Sequence, residues 1–160
     1  IFNRRVVFDA LDEAMENANE SQDRQFTTIM FDIDFFKQVN DTYGHAGGDA
    51  VLISFAKLLE SEITSPNIVG RIGGEEFLAI LYLNQDQAAE FCKKLIIKIN
   101  DNTVNFEGID IKISSSGGVA FSSETNTSAD LTNKADERLY EAKKSGRNRF
   151  KLIDSELVGD

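Results

Sequence analysis

Hydrophobic positions recur along this chain with two different periods, and the switches between them outline its elements. Over residues 7–19, Phe8, Leu11 and Met15 return at helical spacing and predict an amphipathic helix. Residues 26–33 form instead a nearly continuous apolar and β-branched run without Gly or Pro, as expected of a strand buried on both faces. A short helix is predicted over 36–43, stopped by Gly44 in the manner of a C-terminal cap. A second covers 50–63, with Val51, Phe55, Leu58, Leu59 and Ile63 on its inner side. Ser65-Pro66-Asn67 reads as a turn. Apolar runs at 68–72 and 77–83 then flank Gly73-Gly74, which predicts a β-hairpin whose glycines supply positive φ and leave room for a ligand. Residues 85–100 are helical in pattern. Residues 109–121 alternate in part and read as one long strand loosened at Gly117-Gly118. After a polar loop at 122–127, a last helix is expected over 129–145 and an edge strand over 149–153, with residues 154–160 frayed.

Behind the first helix this order is β-α-α-β-β-α-β-α-β. It implies an α+β fold with a mainly antiparallel central sheet flanked by helices, near the ferredoxin-like split βαβ type.

Composition narrows the function. A chain of 160 residues with 41% apolar content suits one domain with a real core. No apolar run approaches the roughly 20 residues a spanning helix needs. A formal net charge of −10 argues against generic binding to nucleic acid or direct contact with an anionic membrane. The single cysteine, Cys92, excludes an internal disulfide framework and fits a core position.

Two acidic sites stand out. The predicted central strand ends in Asp32-Ile33-Asp34, and the hairpin tip carries Glu75-Glu76. A carboxylate at the end of a buried strand, facing another on a hairpin tip, is an oxygen-rich setting for a hard divalent cation and a nucleotide's phosphates. Lys143 and Arg147 lie four apart and share one helix face. Phe35 and Phe36 open a helix whose backbone N–H groups attract phosphate. Asp34 is expected to turn away from Asp32 into a structural role, and Glu76 to be solvated or ion-paired.

These segments also carry a family resemblance. Residues 32–45, Asp-Ile-Asp-Phe-Phe-Lys-Gln-Val-Asn-Asp-Thr-Tyr-Gly-His, resemble the D-x-D-x-F-K-x-x-N-D-x-x-G-H signature of GGDEF domains, with Gly48-Asp49 following in place. Residues 73–77 match the GGEEF form of the name motif. Ala135-Asp136, Leu139-Tyr140, Ala142-Lys143 and Gly146-Arg147-Asn148 match the closing helix, and Asn3-Arg4-Arg5 the end of the opening segment. The chain is thus similar to one GGDEF domain over residues 1–160, read as excised from a larger signalling protein. The resemblance implies a palm-like fold shared with class III nucleotidyl cyclases. It implies a diguanylate cyclase that joins two GTP molecules into cyclic di-GMP and releases pyrophosphate. Asp32, the Ile33 carbonyl and Glu75 would hold Mg²⁺ or Mn²⁺, two ions per active site. Glu75 would also take up the 3′-hydroxyl proton, and Lys37 would stabilise the transition state. Phe35, Phe36, Lys37, Lys143 and Arg147 would bind phosphates, and Asn40, His45 and Asp49 would bind or border guanine.

The implied partners are GTP, a second copy in a two-fold dimer, and an attached sensor or dimerisation domain. The implied location is cytoplasmic, with room for a membrane anchor in the parent protein. Many relatives carry an Arg-x-x-Asp pair that binds inhibitory product. Thr64 and Asn67 stand at those positions, so that inhibitory site is expected to be absent. The alternative function is a catalytically silent GGDEF module that binds GTP or a partner and regulates an attached domain.

Overall fold

The computed structural model describes residues 1–153 and 157–159. Its elements are α1 (Arg4–Glu20), β1 (Thr27–Ile33), α2 (Phe36–Glu62), β2 (Ile68–Arg71), β3 (Glu76–Leu81), α3 (Gln85–Asp101), β4 (Thr103–Phe106), β5 (Ile109–Lys112), β6 (Ser115–Phe121), α4 (Ser128–Lys144), β7 (Arg149–Lys151) and β8 (Leu157–Gly159). The main sheet runs β2-β3-β1-β6-β7-β8, and β4-β5 form a separate two-stranded ribbon. All pairs in the main sheet are antiparallel except β6 with β7.

Strand β1 sits at the centre because its side chains are apolar on both faces. Ile29, Phe31 and Ile33 join the core beneath α2 and α3, whereas Phe26 (just before the strand) and Met30 join the core beneath α1 and α4. Strand β3 alternates in the same way, with Phe77, Ala79 and Leu81 on one side and Leu78 and Ile80 on the other. The alternation makes a three-layer sandwich. It also places the polar continuation of β1, at Asp32, on the α4 side.

Two glycines let the layers close. A Cβ at Gly118 would overlap the Ala135 carbonyl of α4, and one at Gly117 would come within 2.9 Å of the Phe150 ring. Glycine at 118 therefore allows the α4 backbone to lie directly on β6.

The structure departs from the sequence expectation in four places. The segment over 109–121 is two strands, β5 and β6, separated at Ile113-Ser114. Strand β4 precedes them and closes a hairpin through Glu107 and Gly108, both at positive φ. The helices expected over 36–43 and 50–63 are nearly continuous, and Gly44 (φ 75°, ψ 175°) kinks them rather than ending the first. The strand at 149–153 is not an edge, because β8 pairs outside it. The expected fraying of 154–160 fails for Leu157–Gly159, where Val158 is buried, and residues 154–156 and 160 lie outside the described residues. Among the described residues, no helix is long and apolar enough to cross a membrane.

Candidate active site

The site forms where β1 ends. Asp32 lies opposite Glu76 in the β1–β3 ladder and opposite Ser116 in the β1–β6 ladder. The Ile33 N–H donates to the Glu75 carbonyl at 3.3 Å, so the hairpin tip and the strand end are bonded neighbours. The two acid-bearing stretches therefore meet through their backbones.

The tip is held in shape by backbone and by arginine. Ile72 N–H donates to the Glu76 carbonyl at 2.9 Å. Arg4 donates to the Ile72 carbonyl at 2.6 Å, and Arg71 donates to the carbonyls of Gly73 (3.0 Å) and Gly74 (2.7 Å). Neither Gly73 nor Gly74 takes positive φ, contrary to the expectation from a glycine turn. What glycine leaves instead is space: a Cβ at Gly74 would meet nothing within 4 Å.

Asp32 is the electrostatic centre. It is 7% exposed, and its Oδ1 is buried without a hydrogen-bond partner. Its other oxygen pairs with Lys143 Nζ from the end of α4. Burial pushes its carboxyl up to about 6 against the pull of Lys143, and the charges of Glu75 and Glu76 push it further the same way. A buried carboxylate with one oxygen unsatisfied and two acids beside it fits a divalent cation. Among the described residues no trio of His, Cys, Asp or Glu is grouped for a metal. A cation placed here would be held by Asp32, Glu75 and the Ile33 carbonyl, and the remaining ligands would have to come from nucleotide and water.

The other predicted residues surround this centre. Phe35 is the N-terminal cap residue of α2, left-handed at φ 56° and 51% exposed. No side chain caps this helix end and its first turn holds no acid, so the free N–H groups at Phe36 and Lys37 are available to an anion. Lys37 is exposed there. Arg147, in the turn after α4, stacks its guanidinium over the Phe35 ring at 4.6 Å. Lys143, expected on phosphate, meets Asp32 instead. Asn40 is half-buried and lies across the kink against Gly48, while Asp49 and His45 are exposed on the far limb of α2.

Two expectations for individual acids change. Asp34 does not turn away from Asp32: residues two apart on an extended chain share a side, and Asp34 accepts from Ser116, the cross-strand partner of Asp32. Its structural role stands, since it is 3% exposed and fully bonded. Glu76 is half-buried and directly opposite Asp32, so it shares that face rather than leaving it. The signal that would have shown this is register, because Phe77 must face Phe31 to bury both rings. Among the positions of the expected product site, Asn67 already spends its side-chain oxygen on the Tyr82 N–H at 2.8 Å, and Thr64 is exposed.

The family described as "Diguanylate cyclase, GGDEF domain" matches residues 1–149. The chain belongs to the GGDEF family. This GGDEF domain is 36% identical over 158 residues to Diguanylate cyclase A of Treponema denticola, covering 96% of this chain and 43% of that protein. It therefore spans less than half the length of that curated relative. The solved active GGEEF domain of a diguanylate cyclase from Vibrio cholerae is 31% identical, with a TM-score of 0.86 over 97% of this chain and 99% of that one. The GGDEF domain of DgcB from Caulobacter crescentus, solved in complex with c-di-GMP, is 29% identical, with a TM-score of 0.89 over 96% and 89% of the two chains. The palm-like α+β fold expected from the motifs is the fold of these GGDEF structures.

Proposed function

We propose that this GGDEF domain is a catalytically competent diguanylate cyclase, condensing two GTP into cyclic di-GMP and two pyrophosphates. The observation that carries this reading is the unpartnered buried oxygen of Asp32, set beside Glu75 and within reach of Lys143. A silent domain has no need of a buried, half-satisfied carboxylate, which costs stability.

In this reading Asp32, the Ile33 carbonyl and Glu75 hold Mg²⁺ or Mn²⁺, two ions per site. Bound there, the ions supply charge neutralisation at phosphate oxygens and acidify the attacking hydroxyl. The chain's own groups do the rest. The uncapped start of α2 at Phe35 and Phe36 binds phosphate, and Lys37 offsets charge that develops at the α-phosphate. Arg147 and Lys143 hold the departing phosphates, Lys143 exchanging Asp32 for the nucleotide. Glu75 accepts the 3′-hydroxyl proton as the oxygen attacks the α-phosphate of the other GTP and pyrophosphate leaves. Asn40 and Asp49 read the guanine edge, where a carboxylate accepts from N1–H and N2–H and meets no such donors on adenine. His45 borders that pocket.

One domain orients one GTP, so product requires two copies face to face about a two-fold axis. An attached sensor or dimerising segment would bring the copies together. Product inhibition through positions 64 and 67 is absent in this reading, because neither side chain supplies a charge.

Incubation with GTP and Mg²⁺, followed by mass detection of cyclic di-GMP, tests the activity. Glu75→Gln should abolish product while leaving the circular dichroism spectrum of the parent. Absence of product from the parent, with GTP still stabilising it, would favour a silent GTP-binding module.

A further inference from the structure

Asp34 is assigned no part in metal, proton or phosphate chemistry, yet its surroundings are built with care. The described residues place no ion-pair cation against it, and its charge rests on three donors from two stretches of chain. Ser114 Oγ donates to Oδ2 at 2.6 Å, Ser116 Oγ donates to Oδ1 at 2.6 Å, and the Asn148 backbone N–H donates to Oδ2 at 2.9 Å.

The third bond reaches the turn that carries Arg147. That turn is unusual: Arg147 (φ 61°) and Asn148 (φ 51°) are consecutive non-glycine residues in the left-handed region. Such a pair persists only where its surroundings over-determine it. Behind it, the Arg147 N–H donates to the Ala142 carbonyl at 3.0 Å and closes the end of α4. Ahead of it, the Asn148 N–H is satisfied by Asp34. On the other side, Asp34 is followed directly by Phe35, also left-handed, whose ring lies under the Arg147 guanidinium.

We propose that Asp34 is the positioning residue for Arg147. It is covalently joined to one half of the Arg147–Phe35 stack and hydrogen-bonded to the residue after the other half. Losing it frees both halves and lets the guanidinium drift from the site. This rests on the reading of Arg147 as a ligand of the terminal phosphates. Losing one charge-assisted hydrogen bond to phosphate costs roughly tenfold to a hundredfold in affinity, and a loosened clamp falls at the low end, about tenfold.

The test is a double-mutant cycle on binding, measured with Mg²⁺ by calorimetry for GTP and by NMR titration for GMP. Asp34→Asn should weaken GTP about tenfold and leave GMP, which lacks the terminal phosphates, unchanged. Arg147→Ala should show the same selectivity. The double variant should bind GTP no more weakly than Arg147→Ala alone. If Arg147→Ala leaves GTP affinity intact, the phosphate reading of Arg147 fails. If it weakens GTP while Asp34→Asn does not, weakens GMP equally, or adds in full to Arg147→Ala, the positioning role is overturned and Asp34 is only a tie between β1 and β6. Should Asp34→Asn fail to fold, Ser114→Ala loosens the same carboxylate oxygen. A smaller loss, confined to GTP and abolished in the Arg147→Ala background, is then the supporting result, and any other pattern overturns the proposal.

Discussion

Asp32 concentrates at one residue the conflict between stability and chemistry. A carboxyl whose folded pKa is about 6 against an ordinary 3.8 binds its proton more tightly when folded. Its contribution to stability is therefore full in acid, falls as pH rises from about 4 to about 6, and stays lost above that. Asp32→Asn removes a charge that is costly when no cation is bound. In chelator at about pH 8 the variant should melt higher than the parent, and the gap should close as the pH falls to about 4. A gap independent of pH would show that Asp32 is not ionised at cost. How much of this was legible in the sequence depends on the residue. Asp32 and Glu75 stand out because acids at the ends of apolar runs have few structural reasons to be there, whereas Lys143 is marked only by its spacing from Arg147 and by the family motif. The Lys143–Asp32 pair and the unsatisfied oxygen were not legible, since they depend on how close α4 comes to β1. That approach is set by the missing side chain at Gly118 rather than by the charged residues themselves. The bond from Asp34 to Asn148 spans 114 positions and leaves no local trace.

At the scale of elements, long periodic segments and buried strands were readable, and short ribbons were not. Helices α1 and α3 follow from their period, and strand β1 from an unbroken apolar and β-branched run. The β4–β5 hairpin was missed although Glu107-Gly108 sits between Val104-x-Phe106 and Ile109-x-Ile111, because four-residue strands hold too few alternations to outweigh one longer reading. Helix α2 shows how a local stop signal is overruled. Gly44 occupies a backbone region open essentially to glycine, yet the helix resumes beyond it because Gly47 and Gly48 let the two limbs pack. A Cβ at Gly48 would overlap the Asn40 side-chain oxygen, and that side chain can rotate away. Gly48→Ala should therefore change stability by no more than about 1 kcal/mol, helped by the better helix propensity of alanine. It should cut kcat/KM for GTP about tenfold, the worth of one good hydrogen bond to guanine. Steady-state kinetics and urea unfolding separate the two, and a large loss of stability with unchanged kinetics would contradict the account.

For the whole molecule, the two faces of the sheet divide the labour. The α2–α3 side holds the larger core, and the α1–α4 side delivers Lys143 and receives Asp32. In the two-copy mechanism proposed above, one copy presents half of a reaction, so turnover per domain should rise with protein concentration. Fusion to a dimerising coiled coil should raise it sharply at about 1 μM protein, since tethering supplies an effective concentration of about a millimolar. Equal rates for fused and unfused domains would argue against a two-copy mechanism. The N-terminal edge of the sheet adds a further tie. Phe2 runs parallel to β2, donating to the Val69 carbonyl at 3.1 Å and accepting from the Arg71 N–H at 2.9 Å. Two residues later Arg4 grips the Ile72 carbonyl, at the root of the loop that carries Glu75. The start of the chain is thus stitched to the strand and turn that lead into the acidic loop, by hydrogen bonds that run along the sheet edge and not through the core.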